Sequence, residues 1–361
     1  MPATPASCLR SGARLLLAGT WGLVLSACGG APKSAPAGAD VRFESESWRY
    51  QGRLGRRLTT AHYEVYTTLD DQVLLDAIPQ ALESAYQFYR QLVPTAREPQ
   101  RRMPVYLFAR RSEWADFTRR LAGPRAATLL KVRRGGYTER GVAAAEYVSH
   151  ATTFPLLAHE GFHQFVDHCL GQRLPAWLNE GLAVLCEGQR WGAGGLEGFD
   201  PWHNPTRREA LAEALLRNEL YPLPELLRLS AGQVVGDSAR RVGTYYAQLW
   251  ALMLFLREGE QGRYAAGFDR LRQALGTQDL TPLAQAAFVS SAAPTCDFGC
   301  ELFRSFIHDD LATVEQQYAA FMRRQVLGQR QAAHDGGLRW PTNRQPSRSM
   351  ISSSSTCAWG P

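Results

Sequence analysis

Residues 158–169 read AHEGFHQFVDHC, and within them stands His159-Glu160-Gly161-Phe162-His163. On a helix, two residues four apart lie about 40° from each other round the axis. Both imidazoles then face one way and can reach a single ion. Glu160 lies about 100° from His159, beside such an ion rather than on it. A carboxylate there can take a proton from water held at the ion. Ala158, Phe162, Phe165, Val166 and Cys169 share the neighbouring arc and would seat the helix in a core. Pro155 stands just before them, as helix starts prefer. With eight histidines in 361 residues, an accidental H-E-x-x-H is expected roughly 0.01 times. The stretch therefore predicts a helix with a metal-binding face.

Sixteen residues separate His163 from Glu180, which sits in Pro175-Ala176-Trp177-Leu178-Asn179-Glu180-Gly181-Leu182-Ala183-Val184-Leu185. A carboxylate among so many apolar neighbours either reaches solvent or finds a cation, because burying it alone is costly. Gly181 removes a side chain and would let two helices approach closely. Two histidines and one glutamate leave the fourth position of a zinc ion open, the arrangement of a reactive site rather than a closed structural one. The expectation is one Zn2+ per chain held by His159, His163 and Glu180. Asp167, His168 and Glu187 are rival third ligands. Asp167 lies one turn past His163 on the same side and suits a supporting role, orienting an imidazole; His168 points away from the pair.

The rest of the chain reads as strands first and helices later. Residues 59–68 alternate His62, Glu64 and Tyr66 against Tyr63, Val65 and Thr67, as a strand does. Residues 103–108 and 142–148 are further strand candidates. Gly135-Gly136-Tyr137 marks a turn, and residues 192–198 (GAGGLEG) a loop. Leu74, Ile78, Leu82, Tyr86 and Tyr89 recur at helical spacing, with a kink or restart expected at Pro79. Residues 112–121 look helical. Helical patterns then cover 156–169, 177–187, 207–217, 246–257, 264–275, 281–289 and 300–326. This order predicts an α+β fold, a small mixed sheet packed beside helices. Among the cysteines, Cys296 and Cys300 form a C-x3-C that could bridge in an oxidising compartment, and Cys169 with Cys186 is a further pair.

The N-terminus looks like an address. Arg10 and Arg14 precede an apolar run over residues 15–25, followed by Leu25-Ser26-Ala27-Cys28. A cationic start, a short apolar core and a small-residue cleavage site describe a secretory signal too short to span a bilayer. Cleavage before a cysteine resembles the lipobox of bacterial lipoproteins, which implies a lipid on Cys28. The expected organisation is a signal peptide at 1–27, a Pro/Gly-rich tether at 28–40, a main domain at 41–257, a helical lobe at 258–332 and a polar, disordered tail at 333–361. Gly29, by resemblance, favours the outer over the inner membrane of a bacterial envelope. Formal net charge is +6, nearly all from arginine, with Lys33 and Lys131 the only lysines. No basic block interleaves with aromatics, so nucleic acid is not an expected partner.

His159-Glu160-x-x-His163 followed by Trp177-Leu178-Asn179-Glu180-Gly181-Leu182-Ala183 resembles a gluzincin metallopeptidase. The second block is similar to the W-L-N-E-G-F-A segment of the aminopeptidase N family. The wider layout, over about residues 59–257, looks closer to the peptidase-MA-like domains of bacterial secreted proteins and lipoproteins. The resemblance implies a zincin-like fold, with an edge strand above the metal helix and a helical lobe after it. It carries metal binding onto His159, His163 and Glu180, and the base role onto Glu160. No G-x-M-E-N segment is present, the nearest being Gly141-Val142-Ala143-Ala144-Ala145-Glu146, so endopeptidase action is expected rather than aminopeptidase action. Gly243-Thr244-Tyr245-Tyr246-Ala247-Gln248-Leu249-Trp250 resembles the Y-A-Q-x-W segment of the peptidase-MA-like group. That makes Tyr246 the candidate for stabilising an oxyanion, with Tyr245 second and Arg240 and Arg241 behind it. The strand at 142–148 is expected to hold an extended peptide by main-chain pairing. The sequence-level reading is a lipid-anchored zinc peptidase acting on peptide or protein. The alternative is a catalytically silent zincin-fold lipoprotein that binds a partner in the envelope.

Overall fold

The computed structural model describes residues 41–132, 135–193, 195–234, 238–280, 282–283 and 294–335. The signal peptide, the lipidation site Cys28, the tether and Cys357 lie outside them. So do most of the helix expected at 281–289 and residues 336–361 of the expected tail; residues 333–335 end a helix, Leu311–Asp335. The fold is α+β, a mixed six-stranded sheet followed by a helical C-terminal part. No helix among the described residues is long and apolar enough to cross a membrane.

Strands β1 (Glu44–Tyr50), β2 (Arg53–Thr59), β3 (Tyr63–Thr67), β4 (Met103–Phe108), β5 (Gly136–Glu139) and β6 (Val142–Glu146) lie in the order β1-β2-β3-β4-β6-β5. β3, β4 and β6 run parallel, while β1, β2 and β5 pair antiparallel to their neighbours. The alternation read in β3 is real: Tyr63, Val65 and Thr67 are buried and Glu64 and Tyr66 are not. α1 (Gln72–Leu92) joins β3 to β4. Asp71 caps it by accepting from the N–H of Val73 and Leu74. It runs on through Pro79 as one helix, without the expected restart. α2 (Arg111–Ala122) and the short α3 (Ala126–Leu129) lead to β5.

α4 (His150–Cys169) packs against α1, β5 and β6 and carries the His159/His163 pair. It begins six residues before the expected start, so Pro155 lies inside it. A proline there costs the bond to the Ala151 carbonyl. Gly161 is required by the α1 contact. A Cβ on it would lie 2.5 Å from the Tyr89 hydroxyl, which donates to the Ala158 carbonyl at 2.7 Å. α5 (Ala176–Leu185) follows, then a hairpin of β7 (Gln189–Gly192) and β8 (Gly195–Phe199) where a loop was expected. The main chain makes that pairing, so the glycines do not prevent it.

α6 (Pro205–Arg217), α7 (Leu223–Arg228), α8 (Ala231–Val234), α9 (Ala239–Glu258) and α10 (Ala265–Ala274) build the helical part, with Pro294–Phe306 and Leu311–Asp335 beyond. The expected helix at 300–326 is thus two. Gly181 of α5 meets Met253 of α9, where a Cβ would come within 2.9 Å of the Met253 Cε; the close helix approach read from that glycine is present. One core unites the sheet, α1, α4, α5 and α9. A smaller aromatic core around Phe108, Trp114 and Tyr137 fills the other sheet face under α2. Cys169 and Cys186 are both buried free thiols rather than a bridge. The Cys296 side chain lies outside the described residues.

One strand expectation needs correction. The stretch at 142–148, expected to offer a free edge to a peptide, is β6, which is paired on both sides. The end of the sheet is β5. The N–H of Glu146 donates to the Gly135 carbonyl, and bonded pairs alternate along an antiparallel ladder. Tyr137 and Glu139 therefore turn their main-chain groups toward β6. Gly136 and Thr138 turn theirs outward, where no strand stands among the described residues.

Candidate metal centre

α4 and α5 bring His159, His163 and Glu180 together, all three largely buried. The Nε2 atoms of His159 and His163 lie 3.3 and 3.4 Å from the same oxygen, Glu180 Oε2. Neither contact has hydrogen-bond geometry, and among the described residues this buried oxygen has no hydrogen-bond partner. A buried carboxylate oxygen without a donor is costly. That spacing fits ligands on one ion, since ligand atoms at 2.0–2.1 Å in a tetrahedron sit about 3.3 Å from one another. The three side chains can hold a metal ion.

Each imidazole is held from behind. His159 Nδ1 lies 2.9 Å from Glu187 Oε1, and His163 Nδ1 lies 3.2 Å from Asn179 Oδ1. Donating Nδ1–H to these acceptors leaves Nε2 to face Glu180. Glu187 is itself fixed. Arg207 donates to both its oxygens from Nε at 2.9 Å and from Nη2 at 2.7 Å, and the Asn204 amide donates at 2.9 Å.

The expected partner of the imidazoles was Asp167, and the structure corrects this. Asp167 Oδ2 accepts instead from the Gly141 N–H at 2.9 Å. Although one turn past His163, it points along α4 to the β5–β6 turn. Glu187, weighed as a rival ligand, is the residue behind His159. His168 also points away as expected, its Nε2 lying 3.0 Å from the Gly141 carbonyl.

The electrostatics favour a cation. Glu160, Glu180 and Glu187 bring three negative charges against the one of Arg207, which leaves −2 with neutral imidazoles. Burial pushes Glu180 up, but His163 and His159 outweigh it and hold the carboxyl well below the usual range. Burial likewise pushes Glu187 up, and Arg207 and His159 bring it down to about 2. The imidazoles show the converse. Burial would lower His159, yet Glu180 and Glu187 raise it to about 10; His163 rises too, against burial, chiefly through Glu180. A centre that draws positive charge this strongly suits a divalent ion, and two imidazoles with one carboxylate suit zinc.

Glu160 stands beside the ligands, as its offset on the helix requires. The Thr138 hydroxyl of β5 lies 3.0 Å from Glu160 Oε2 and 2.8 Å from the Glu160 carbonyl. Tyr246, on α9, has its ring centroid 5.9 Å from that of His159 and lies under the Arg207 guanidinium at 5.0 Å. Its hydroxyl has no hydrogen-bond partner among the described residues. Tyr245 is fully buried, its hydroxyl aimed at the Leu229 carbonyl. Arg240 pairs with Glu219, and Arg241 reaches the Glu219 carbonyl over the Tyr221 ring. Of the four oxyanion candidates, only Tyr246 reaches the centre.

Sequence reading missed Asn179, Arg207, Thr138 and the supporting role of Glu187. Asn179 had a local signal, since it precedes the ligand on the same helix. Arg207 and Thr138 had none, because they come from other elements. Compared with known proteins, the chain matches no family model, and no curated protein matches it.

Proposed function

We propose that the chain is a zinc-dependent peptidase of zincin-like fold, an endopeptidase, carried to a bacterial envelope and tethered there through a lipid on Cys28. The observation that carries the catalytic reading is the donorless Glu180 oxygen facing two oriented imidazoles, with a carboxylate one residue away along the helix. His159, His163 and Glu180 would hold the ion, which when bound supplies a Lewis acid for the scissile carbonyl and lowers the pKa of water.

The chain's own groups do the rest. Glu187 and Asn179 keep both imidazoles turned to the centre. Glu160 takes the proton from the attacking water and returns it to the leaving amine as the carbon–nitrogen bond breaks. Tyr246, with its hydroxyl uncommitted, is placed to donate to the oxygen that gains charge. The outward main-chain groups of Gly136 and Thr138 offer an extended peptide a ladder to join.

The test is direct. Purified mature chain should bind about one zinc per molecule and cut members of a peptide library. Glu160→Gln should keep the metal and lose at least about a hundredfold in rate. Cleavage at the wild-type rate by that variant would refute the mechanism. Zinc bound with no peptide cut by the wild type would favour the silent scaffold instead.

A further inference from the structure

Glu160 is a buried carboxylate on a three-rotor side chain, and a base must be held close to one geometry to work. Among the described residues, its carboxylate has one hydrogen-bond donor, the Thr138 hydroxyl at 3.0 Å. The same hydroxyl lies 2.8 Å from the Glu160 main-chain carbonyl. A hydroxyl has one proton and two lone pairs, so it can serve the side chain in either proton state. It donates to Oε2 while the carboxylate is bare. It can turn to the carbonyl, and accept, once the carboxyl carries the proton taken from water.

Thr138 itself is anchored. It sits one residue before the β5–β6 turn, where Arg140 and Gly141 both have positive φ, 53° and 73°. This is the two-residue hairpin geometry that matches strand twist. The turn is tied to α4 at three points. Gly141 N–H donates to Asp167 Oδ2 at 2.9 Å, and the Gly141 carbonyl faces Gln164 Nε2 and His168 Nε2, each at 3.0 Å. A Cβ on Gly141 would lie 2.6 Å from His168 Nε2, so the clamp needs glycine. The outward main-chain groups of Thr138 belong to the edge offered to a peptide.

We propose that Thr138 is a positioning residue for the base: its hydroxyl holds the Glu160 carboxylate while its main chain docks the peptide, so that peptide docking and base placement meet in one residue. This rests on the peptidase reading for its kinetic consequence, though not for its geometry. Asp167, Gln164 and His168 then act at one remove, by keeping β5 in register over Glu160.

Thr138→Val keeps the branched shape and removes the hydroxyl; Thr138→Ser keeps the hydroxyl. The full mature chain would be loaded with zinc and assayed on a fluorogenic peptide selected from a random library by the wild type. Thr138→Val should lower kcat between about tenfold and a hundredfold, with KM within about twofold and zinc content unchanged. Thr138→Ser should recover most of the loss. Crystal structures of both variants give a reading independent of activity. The Glu160 carboxylate should be displaced or spread over several rotamers in Thr138→Val and in place in Thr138→Ser. The proposal is overturned if Thr138→Val keeps wild-type kcat, if Thr138→Ser is as slow as Thr138→Val, or if Glu160 is unmoved in the Thr138→Val crystals. Should the wild type cut no peptide, the peptidase reading falls alone, and the crystal structures decide the role of Thr138.

Discussion

His62 and His159 each stand between two glutamates, yet the two clusters differ in kind. At His62, Nδ1 lies 2.6 Å from Glu83 Oε2, while Glu83 Oε1 also accepts from the Thr60 hydroxyl at 2.6 Å and the His62 N–H at 2.8 Å. The second glutamate, Glu98, is 3.8 Å from Nε2, accepts from Tyr86, pairs with Arg90, and has a side chain 66% exposed. Every short contact there has a donor and an acceptor, and the far side is wet. At His159 one carboxylate is equally well bonded, Glu187, but the other offers a buried oxygen with no donor. Proximity of histidine and carboxylate is therefore not what marks an ion site. The mark is a buried oxygen and two ring nitrogens that converge at 3.3 and 3.4 Å without hydrogen-bond geometry between them. The first cluster is finished as it stands; the second has the ligand atoms to hold an ion.

The largest expected effect tests that distinction outright. His163→Ala should cut metal content from about one per chain to near zero and abolish hydrolysis, a loss on the order of a thousandfold or more. His62→Gln should leave metal content unchanged. Metal analysis by mass spectrometry reads both, and loss of metal from His62→Gln would erase the contrast. Chelation should lower the melting temperature of the wild type but not of His163→Ala, since a ligand bound only to the folded state stabilises it by mass action.

Next comes the residue behind the ligand. Glu187→Gln should weaken metal affinity about tenfold to a hundredfold, by loosening the hold on His159 Nδ1 and leaving Arg207 without its partner. Glu83→Gln, the matching change at the other cluster, should leave affinity within error. Competition against a fluorescent chelator measures both. Equal affinities for wild type and Glu187→Gln would show that His159 is oriented by packing alone.

These two tests separate what could be read in the sequence from what could not. His159, Glu160, His163 and Glu180 were legible because ligand spacing on one helix is a local property, and because an apolar block around Glu180 advertises a buried charge. Asp167 was misassigned for the same reason: helical spacing puts it on the right side, but where its carboxylate ends depends on the β5–β6 turn, which is long-range. Arg207 and Thr138 depend on how α6 and β5 pack, which no local pattern reveals. In the fold, β3 and β4 were visible by alternation or an apolar run. β1 and β2 were missed because ESESWRY and RLGRRLT are charged on an exposed flank, with Gly55 standing where a Cβ would strike the Thr67 carbonyl at 2.1 Å. Glycine there serves close strand contact and erases the hydrophobic signal.

A smaller effect belongs to the His62 cluster alone. Burial pushes the Glu83 carboxyl up, but its bonds from His62 and Thr60 outweigh that and hold it below the usual value. A carboxyl lowered in the folded state stabilises above the ordinary carboxylate pKa, near 4.3, and that stability is lost as pH falls through the folded value. Glu83→Gln should therefore cost about 1–3 kcal/mol at pH 7, through a buried network left short of an acceptor. The gap from wild type should narrow between about pH 5 and pH 3. Urea midpoints across that range measure it. A gap that widened on acidification would mean that Glu83 is held protonated, and that the cluster is not the finished one described.

The smallest expected effect is an absence of coupling. Among the described residues Glu83 and Glu187 share no hydrogen-bond partner, though α1, which carries Glu83, meets α4, which carries the His159 that faces Glu187, where Tyr89 reaches the Ala158 carbonyl. If the two clusters are separate devices, the stability changes of Glu83→Gln and Glu187→Gln should add in the double variant to within about 0.5 kcal/mol. Melting of the metal-free chain is the cleaner measurement, because ion binding would otherwise add its own mass action to one arm. Gly161→Ala should break the additivity if anything does. It forces the Tyr89 hydroxyl away from α4 at the seam between the clusters, at an overpacking cost of about 1–3 kcal/mol. Coupling that appears in the native seam, without that substitution, would mean that the charge at one histidine is felt at the other through α1, and the two could no longer be treated as independent.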